Sequence, residues 1–259
     1  GLRDLTGVAR AKAEILGGLE RNSTVMINAD DRFAAYWLAR ARHFRSVTFG
    51  LDNHADVTGE VTSVDGKMLV EIRLPDERVE VRLGLLGRHN ARNALAAAAA
   101  AWSVGCTTEQ IRCGLENMKP VHRRLEPLTA PLGTRLIDDT YNANPASVQV
   151  AIGVLAAHSG SRVLVLGDMA ELGKNARTFH QAAGRHAREA GIEHLLTTGE
   201  LARAAAEEFG ASASHFEEQG SLINALREHL APESTVLIKG SLSSHMENVV
   251  DALKQPRAV

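Results

Sequence analysis

Apolar and polar positions in the first part of the chain predict one amphipathic helix followed by several short strands. Apolar residues at helical spacing predict a helix over residues 6–19, and Lys12 lies on its apolar face beside Val8 and Ile15. Continuous apolar runs predict strands at residues 24–28 and 47–49, with a helix through Trp37 between them. Further strand-like stretches follow at residues 56–64, 68–74 and 78–84, with a hairpin turn at Asp65-Gly66.

Two predicted helices close this part of the chain. An alanine-rich segment over residues 89–104 predicts a deeply packed helix that ends at Gly105. The sequence Thr107-Thr108-Glu109-Gln110 predicts the start of a second helix, with a capping box. The helical pattern then breaks at Met118-Lys119-Pro120-Val121. We therefore predict two domains, residues 1–120 and residues 121–259.

Strands and helices alternate in the second part. Strands are predicted at residues 135–138, 162–166, 194–197, 215–216 and 234–238. Helices are predicted at residues 145–157, 176–190, 200–209, 219–230 and 243–254. Repeated strand–helix units indicate an α/β fold with a mainly parallel sheet and helices on both faces. In such sheets ligands bind at the carboxyl ends of the strands, so the residues that follow each strand are the first candidates for a site.

Composition narrows the classes of function. The net charge is −2 and aromatic residues make up 4% of the 259 residues, so no nucleic-acid partner is expected. No apolar run is long enough for a transmembrane helix and the start lacks a signal-peptide pattern, so we expect a cytoplasmic protein without membrane insertion. Cys106 and Cys113 are expected to be reduced and buried. Because the sequence does not begin with Met, we expect it to start inside a longer protein.

Two candidate groups lie in the first part. Lys12 on an apolar face either extends its amine to solvent or is desolvated and able to react with CO2. The resulting carbamate is an anion that can hold Mg2+ through oxygen. Asn90 and Asn93 share a face at the start of a predicted helix. Their amides can match the donor and acceptor of an adenine edge, or they can simply cap the helix.

The second part has candidates after several strands. Residues 138–145 (Asp-Asp-Thr-Tyr-Asn-Ala-Asn-Pro) place carboxylates, a phenol and amides at a strand end, which a turn alone does not explain. Residues 167–173 contain acids that either bind a ligand or cap the loop, and they do not form a dinucleotide fingerprint. Lys239-Gly240-Ser241 suits a carboxylate, although a plain turn is an equal alternative. Arg124 follows the boundary and is placed to face both domains.

Seven segments together resemble the Mur ligase family, over nearly the whole chain. They are residues 8–16 (Val-Ala-Arg-Ala-Lys-Ala-Glu-Ile-Leu), 28–31 (Asn-Ala-Asp-Asp), 87–96 (Gly-Arg-His-Asn-Ala-Arg-Asn-Ala-Leu-Ala), 124–125 (Arg-Leu), 138–145, 166–173 (Leu-Gly-Asp-Met-Ala-Glu-Leu-Gly) and 239–241. The segments at residues 141–144, 167–173 and 239–241 resemble the branch that adds D-alanyl-D-alanine to UDP-N-acetylmuramoyl-tripeptide. The resemblance implies an ATP-dependent amide ligase of peptidoglycan precursor synthesis. It also implies that this chain holds the end of a central ATPase domain, then a Rossmann-like, doubly wound domain.

The resemblance implies a role for each matching position. Lys12 matches a lysine that is carbamylated in several members and helps to place Mg2+. Asn90 and Asn93 match residues near adenine, while Arg124 and Asp139 match groups that reach ATP from the last domain. Tyr141, Asn142 and Asn144 lie where that domain faces the active site, and Lys239 and Ser241 are implied to hold the incoming dipeptide. The implied substrates are ATP, the UDP-linked tripeptide and D-alanyl-D-alanine, and a monomer is expected.

The chain departs from the family pattern at three positions. It has Arg123 where glycine is usual before the arginine, Leu242 where arginine usually follows Lys-Gly-Ser, and Ala13 where glycine usually follows the lysine. The phosphate-binding pattern G-x-x-x-x-G-K-[ST] does not occur in the 259 residues. We therefore expect this chain alone to lack ligase activity. The alternatives are another Mur or folylpolyglutamate-type ligase, or a non-catalytic α/β binding module.

Overall fold

The computed structural model describes residues 5–64 and 67–254. Within this range the chain forms two compact units, and the division falls between Lys119 and Pro120. We refer to them as unit 1, which ends at Lys119, and unit 2, which begins at Pro120. The predicted turn at Asp65-Gly66 lies outside the described residues.

Unit 1 contains a five-stranded mixed sheet, in the order β1-β2-β3-β4-β5. Its strands are β1 (Thr24–Asn28), β2 (Arg45–Gly50), β3 (Val57–Val64), β4 (Lys67–Arg73) and β5 (Arg78–Leu83). Its helices are α1 (Leu5–Ala13), α2 (Ala34–Arg40), α3 (Arg88–Ser103) and α4 (Thr108–Glu116). The first three strands pair in parallel, and β3, β4 and β5 form an antiparallel meander. The predicted strands of this part are confirmed.

The core of unit 1 lies between the sheet and α3. The buried alanines of α3, together with Leu95, belong to one apolar cluster with Val70, Ile72 and Val81. Small side chains allow the helix backbone to approach the sheet closely, as the alanine-rich sequence predicts. The predicted capping box of α4 is also confirmed, because the Thr107 side chain accepts from the Gln110 amide and Gln110 bonds back to Thr107.

The predicted apolar face of the first helix is wrong. The buried residues of α1 are Ala9 and Ala13, whereas Lys12 is exposed and Ile15 is 71% exposed. The α-helix also ends at Ala13, and a 3₁₀ helix over Glu14–Gly18 changes the helical period beyond it. The two alanines pack through their small size, which a periodicity based on large apolar residues does not detect. A second correction concerns the cysteines, since Cys113 is exposed and Cys106 is only half-buried.

Unit 2 contains a six-stranded sheet, in the order β10-β9-β8-β11-β7-β6. Its strands are β6 (Glu126–Thr129), β7 (Arg135–Asp139), β8 (Arg162–Leu166), β9 (His194–Thr198), β10 (Ala213–Phe216) and β11 (Thr235–Lys239). Its helices are α5 (Pro145–Ala156), α6 (Ala176–Glu189), α7 (Arg203–Phe209), α8 (Gln219–Arg227) and α9 (Glu247–Lys254). All neighbouring strands pair in parallel except β6, an antiparallel edge strand that the sequence did not predict.

Helices cover both faces of this sheet, which confirms the predicted α/β class. Residues of α8 and α9 form one apolar cluster with alternate residues of the central strands. Helix α5 contacts β8 and β11 and packs beside α6, which in turn contacts α7. The central strand β11 is buried at every position. The sheet therefore brings the carboxyl ends of β7, β11 and β8 side by side at one edge.

The contact between α6 and α7 depends on Gly184. A Cβ atom at this position would lie 2.1 Å from the carbonyl oxygen of Ala205, which belongs to the backbone of α7 and cannot move alone. We expect Gly184→Ala to lower the free energy of unfolding of unit 2 by about 2 kcal/mol, because overpacking outweighs the gain in helix propensity. Urea unfolding followed by far-UV circular dichroism measures this loss.

Gly153→Ala is the matched control for that change. Gly153 lies inside α5, and a Cβ there would meet nothing within 4 Å. The substitution should therefore stabilise unit 2 by roughly 0.5–1 kcal/mol. Both tryptophans of the chain lie in unit 1, so tryptophan fluorescence should not change in either variant. Equal effects of the two substitutions would show that the α6–α7 contact is not tight.

Candidate functional site

A buried ion pair joins the carboxyl ends of β7 and β11. The strands are in register so that Lys239 lies opposite Asp139. The Lys239 ammonium donates to Asp139 Oδ2 at 2.6 Å and to the carbonyl oxygen of Asn142 at 2.8 Å. Lys239 is only 1% exposed, and Asp139 is buried as well. Lys239 therefore points into the protein and pairs with Asp139. The two residues belong to different candidate segments of the sequence, residues 239–241 and 138–145.

Burial and charge oppose each other at this lysine. Loss of solvation lowers the pKa of Lys239, and the adjacent Asp139 carboxylate acts in the opposite direction. The positive charge of Arg124 lowers the pKa further. The carboxylate therefore stabilises the ammonium form that burial disfavours. Removing either partner would leave the other without its main compensating charge.

Arg124 is presented by a tight loop between two residues with left-handed backbone. Arg123 has φ 61° and Leu125 has φ 48°, a region that costs a non-glycine residue about 1–2 kcal/mol. The departure from glycine at position 123 thus falls where glycine would be unstrained. The loop is held by the Leu125 amide, which donates to Asp139 Oδ1 at 3.2 Å, and by the Tyr141 amide, which donates to the Arg123 carbonyl at 3.1 Å.

The Arg124 side chain is exposed and lies on an aromatic ring. Its guanidinium carbon is 4.1 Å from the centroid of the Tyr141 ring, which is within the range of a cation–π contact. Tyr141 itself is 49% exposed. An exposed guanidinium supported by an aromatic face is arranged to bind an anion from solvent. Both side chains are therefore accessible from solvent.

The two asparagines of this segment have different local roles. Asn142 is exposed and its Oδ1 accepts from the Ala143 amide at 2.8 Å. Asn144 is the N-cap of α5, where its Oδ1 accepts from the Ser147 amide at 2.9 Å, and Pro145 is the first helical residue. The cap accounts for the type of residue at position 144. It does not account for Asn142, which remains available at the surface.

Ser241 belongs to a group of hydroxyls around one carbonyl. The Ser241 Oγ donates to the Asp168 carbonyl at 2.6 Å, and the Ser241 amide donates to the same oxygen at 2.9 Å. Ser244 Oγ also donates to it at 2.9 Å. The carboxylate of Asp168 accepts from the Ala202 amide at 2.7 Å, so it caps the loop after β9. The hydroxyl and amide of Ser241 thus hold the ends of β8 and β11 together.

Met246 fills the space between the ends of β8 and β11. In a doubly wound sheet this is where a ligand crevice opens, because the helices after the two strands pack on opposite faces. A Cβ atom at Gly167 or Gly240 would lie 2.8 or 2.5 Å from Met246 Cγ, and Met246 is fully buried. The exposed candidates Arg124, Tyr141 and Asn142 lie beside the end of β7 and not at this crevice.

The candidates of unit 1 are placed on separate helices. Lys12 lies exposed near the end of α1, so the desolvation argument for its reactivity is not supported and only the resemblance remains. Asn90 and Asn93 lie in the first turns of α3 as predicted. Asn90 donates to the Leu86 carbonyl at 2.7 Å and accepts from Asn93 at 3.2 Å. The hydrogen bond from the Asn93 amide to Asn90 Oδ1 thus orients the exposed Asn93 side chain.

Asp30 forms a polar centre of unit 1 that sequence reasoning did not single out. Its carboxylate accepts from the backbone amides of residues 51–53 at 2.8–3.0 Å and from Arg92 Nε at 3.0 Å. Burial alone would raise the pKa of Asp30, but these hydrogen bonds outweigh it and lower the pKa to about 2. Arg92 also reaches Asp52 at 3.1 Å. Asp30 and Arg92 do lie in two of the segments that resemble the family, residues 28–31 and 87–96, and this could have identified them.

The depressed pKa of Asp30 makes a prediction about acid stability. A carboxyl whose folded pKa lies below its ordinary value of 3.8 stabilises the fold above that value, and the contribution is lost as the pH falls toward the folded pKa. We therefore expect Asp30→Asn to lower the free energy of unfolding of unit 1 by about 2 kcal/mol at pH 7. The difference from the parent should shrink as the pH falls from about 4 to about 2.

Urea unfolding followed by tryptophan fluorescence measures this effect, because Trp37 and Trp102 both lie in unit 1. Asp76→Asn is the control, since Asp76 is exposed in the turn between β4 and β5. A stability difference for Asp30→Asn that stays constant between pH 7 and pH 2 would contradict the role of its charge.

The described residues lack two features, a helix that could span a membrane and a side-chain group for a metal ion. In the described part of the chain, no helix is long and apolar enough to cross a membrane. Residues 5–64 and 67–254 also contain no group of three or more His, Cys, Asp or Glu side chains placed to hold a metal ion.

Comparison with known proteins gives consistent results for both units. The family model described as the Mur ligase middle domain matches residues 2–101, and that described as Mur ligase, glutamate ligase domain, matches residues 123–242. The UDP-N-acetylmuramoyl-tripeptide–D-alanyl-D-alanine ligase of Escherichia coli K12 is 38% identical over 260 residues, covering 98% of this chain and 57% of that protein. The chain thus spans a little over half the length of this curated relative.

Solved structures agree in fold. MurF from Acinetobacter baumannii matches with a TM-score of 0.88 at 32% identity, covering 98% of this chain and 56% of that one. MurF from Thermotoga maritima in complex with ADP matches with a TM-score of 0.85 at 21% identity, covering 96% and 57%. At that lower identity the likeness concerns the fold alone.

Proposed function

Because the chain belongs to the Mur ligase family, we propose that the complete protein is an ATP-dependent ligase of peptidoglycan precursor synthesis. It adds D-alanyl-D-alanine to UDP-N-acetylmuramoyl-tripeptide. The observation that carries the proposal is the exposed Arg124 guanidinium over Tyr141, at the strand ends of a unit that matches the family. The printed name of the E. coli relative, at 38% identity, supports the choice of both substrates.

The proposed reaction has two steps. A carboxylate oxygen of the tripeptide attacks the γ-phosphorus of ATP, the bond to the β-phosphate oxygen breaks, and ADP leaves. The amine of D-alanyl-D-alanine then attacks the carbonyl carbon of the acyl phosphate. It loses a proton, and the carbon–oxygen bond to phosphate breaks to release inorganic phosphate. Both steps move negative charge between oxygens, so catalysis depends on placing cations near those oxygens.

Residues of both units contribute to this proposal. Arg124 supplies the accessible cation for the transferred phosphoryl group, and Asp139 supports its loop from within. Tyr141, Asn142 and Asn144 line the surface beside it and are exposed to the incoming dipeptide. Asn90 and Asn93 at the start of α3 contact adenine. Lys239 and Ser241 lie beneath the dipeptide surface. They hold it in place through their hydrogen bonds to the Asn142 and Asp168 carbonyls.

Mg2+ enters the proposal through Lys12. A carbamate on this lysine would add one anionic oxygen ligand, and this role rests on the family resemblance alone. The described acidic, histidine and cysteine side chains do not form a metal-binding group, so these residues alone do not fit the ion. No step above is therefore assigned to the metal.

The proposal is tested on the complete protein with the tripeptide substrate and a panel of amines. We expect ADP release to require both the tripeptide and D-alanyl-D-alanine, and we expect a product whose mass is their sum less one water. The 259-residue chain, which contains no G-x-x-x-x-G-K-[ST], should release no ADP under the same conditions. A preference for a single amino acid would instead identify a sibling or folylpolyglutamate-type ligase. Absence of ATP turnover with every amine would indicate a binding module.

A further inference from the structure

Lys239 is connected to Arg124 through a continuous set of contacts. Its ammonium bonds to one oxygen of the Asp139 carboxylate, at 2.6 Å. The other oxygen of that carboxylate accepts from the Leu125 amide at 3.2 Å. Leu125 directly follows Arg124 and has φ 48°, so its backbone needs support from neighbours to stay in place. A displacement of Asp139 would therefore reach the loop that presents Arg124.

A second branch of contacts starts from the same ammonium. Lys239 donates to the Asn142 carbonyl at 2.8 Å, which fixes the segment that carries Tyr141. The Tyr141 amide in turn donates to the carbonyl of Arg123 at 3.1 Å. The loop that carries Arg124 and the segment that carries Tyr141 are thus both linked by hydrogen bonds to the buried Lys239 ammonium. The same amine is 1% exposed, which leaves it almost no surface for a dipeptide.

We infer that Lys239 is a positioning residue that holds Arg124 over Tyr141, through Asp139 and the backbone of Leu125, and is not a ligand of the dipeptide. The inference concerns this chain's own contacts. Its kinetic consequence rests on the proposed function, whereas its structural consequence does not. The two are therefore tested separately.

The structural test is an NMR measurement on the 259-residue chain. The Tyr141 ring current should displace the Arg124 Nε–Hε signal from the position of a free arginine, and Tyr141→Leu, which removes the ring, assigns that displacement. In Lys239→Met we expect the signal to shift toward the free value, with changes at Leu125 and Asn142, while signals of α8 stay in place. Lys254→Met is the control, because Lys254 is an exposed lysine at the end of α9.

Lys239→Gln provides the same measurement if the methionine variant does not fold, since glutamine retains an amide donor and much of the side-chain volume. An Arg124 signal that stays displaced in a folded Lys239 variant would overturn the inference. A displacement that is lost in Lys254→Met as well would also count against it, because the effect would then not be specific to the buried amine.

The kinetic test is a double-mutant cycle in the complete ligase. If Lys239 acts through Arg124, Lys239→Gln should lower kcat/KM for ATP about 10-fold in the parent enzyme. In the Arg124→Ala background the same change should lower it about 2-fold or less. The KM for D-alanyl-D-alanine should change less than kcat, because Lys239 reaches the dipeptide surface only through the Asn142 backbone. Equal losses in both backgrounds, with a raised KM for the dipeptide, would make Lys239 a direct ligand. A parent enzyme without ligase activity would contradict the proposed function, and the NMR result would still decide the inference.

Discussion

Arg124→Ala in the complete protein should lower kcat/KM about 100- to 1,000-fold, the loss that follows removal of one group that stabilises transition-state charge. The Arg124 guanidinium is exposed over the Tyr141 ring, and the residues on either side of Arg124 have left-handed backbone. Because it contributes little to the core, the variant should fold and unfold like the parent. The kcat/KM for ATP is measured from initial rates of ADP release at varied ATP, with tripeptide and dipeptide saturating.

Arg135→Ala is the matched control for this prediction. Arg135 is exposed at the opposite end of the same strand, β7, away from the cluster. Its replacement should leave kcat/KM within about 2-fold of the parent, as for a surface substitution without a contact to the reaction. Arg124→Lys should recover only part of the activity, since an ammonium cannot contact two phosphate oxygens in a plane. Full activity of Arg124→Ala would exclude this residue from the reaction.

Lys239→Met should lower the free energy of unfolding of unit 2 by about 3–5 kcal/mol, because breaking one partner of a buried ion pair leaves an uncompensated charge. Asp139 would then be a buried carboxylate that retains the Leu125 amide but loses its ammonium partner. Urea unfolding measured by far-UV circular dichroism detects the change. The tryptophan fluorescence transition of unit 1 provides an internal reference that should not move.

The double variant Lys239→Met with Asp139→Asn separates charge from packing. Without either charge, the pair costs no desolvation, so the double variant should be more stable than the sum of the two single losses predicts. Strict additivity of the two losses would show that the ion pair makes no energetic contribution of its own. Lys254→Met should change the stability by less than about 0.5 kcal/mol, as expected at an exposed position.

Much of the fold follows from local sequence signals. The capping box at Thr107 and the cap at Asn144 fix two helix starts, because each needs only residues within one turn. Alternating strands and helices in the second part correctly predicted the mainly parallel sheet, since parallel strands require such crossovers. The family resemblance is also confirmed by the matches to both units.

The contacts that the sequence did not predict depend on distant partners. The pairing of Lys239 with Asp139 was not predicted, because Asp139 lies 100 residues earlier in the sequence. Only the order of strands in the sheet, with β11 between β7 and β8, brings the two together. The predicted position of Lys12 on a buried helix face was wrong for a different reason, since the small residues Ala9 and Ala13 form that face. The roles assigned to the individual site residues stay predictions.

The most direct test of the account follows oxygen through the reaction of the complete protein. The tripeptide is prepared with oxygen-18 in its terminal carboxylate and is incubated with ATP and D-alanyl-D-alanine. An acyl phosphate intermediate requires that one carboxylate oxygen leave with phosphate, so the released inorganic phosphate should carry a single oxygen-18, visible by phosphorus-31 NMR. Unlabelled phosphate formed together with the amide product would contradict the proposed mechanism.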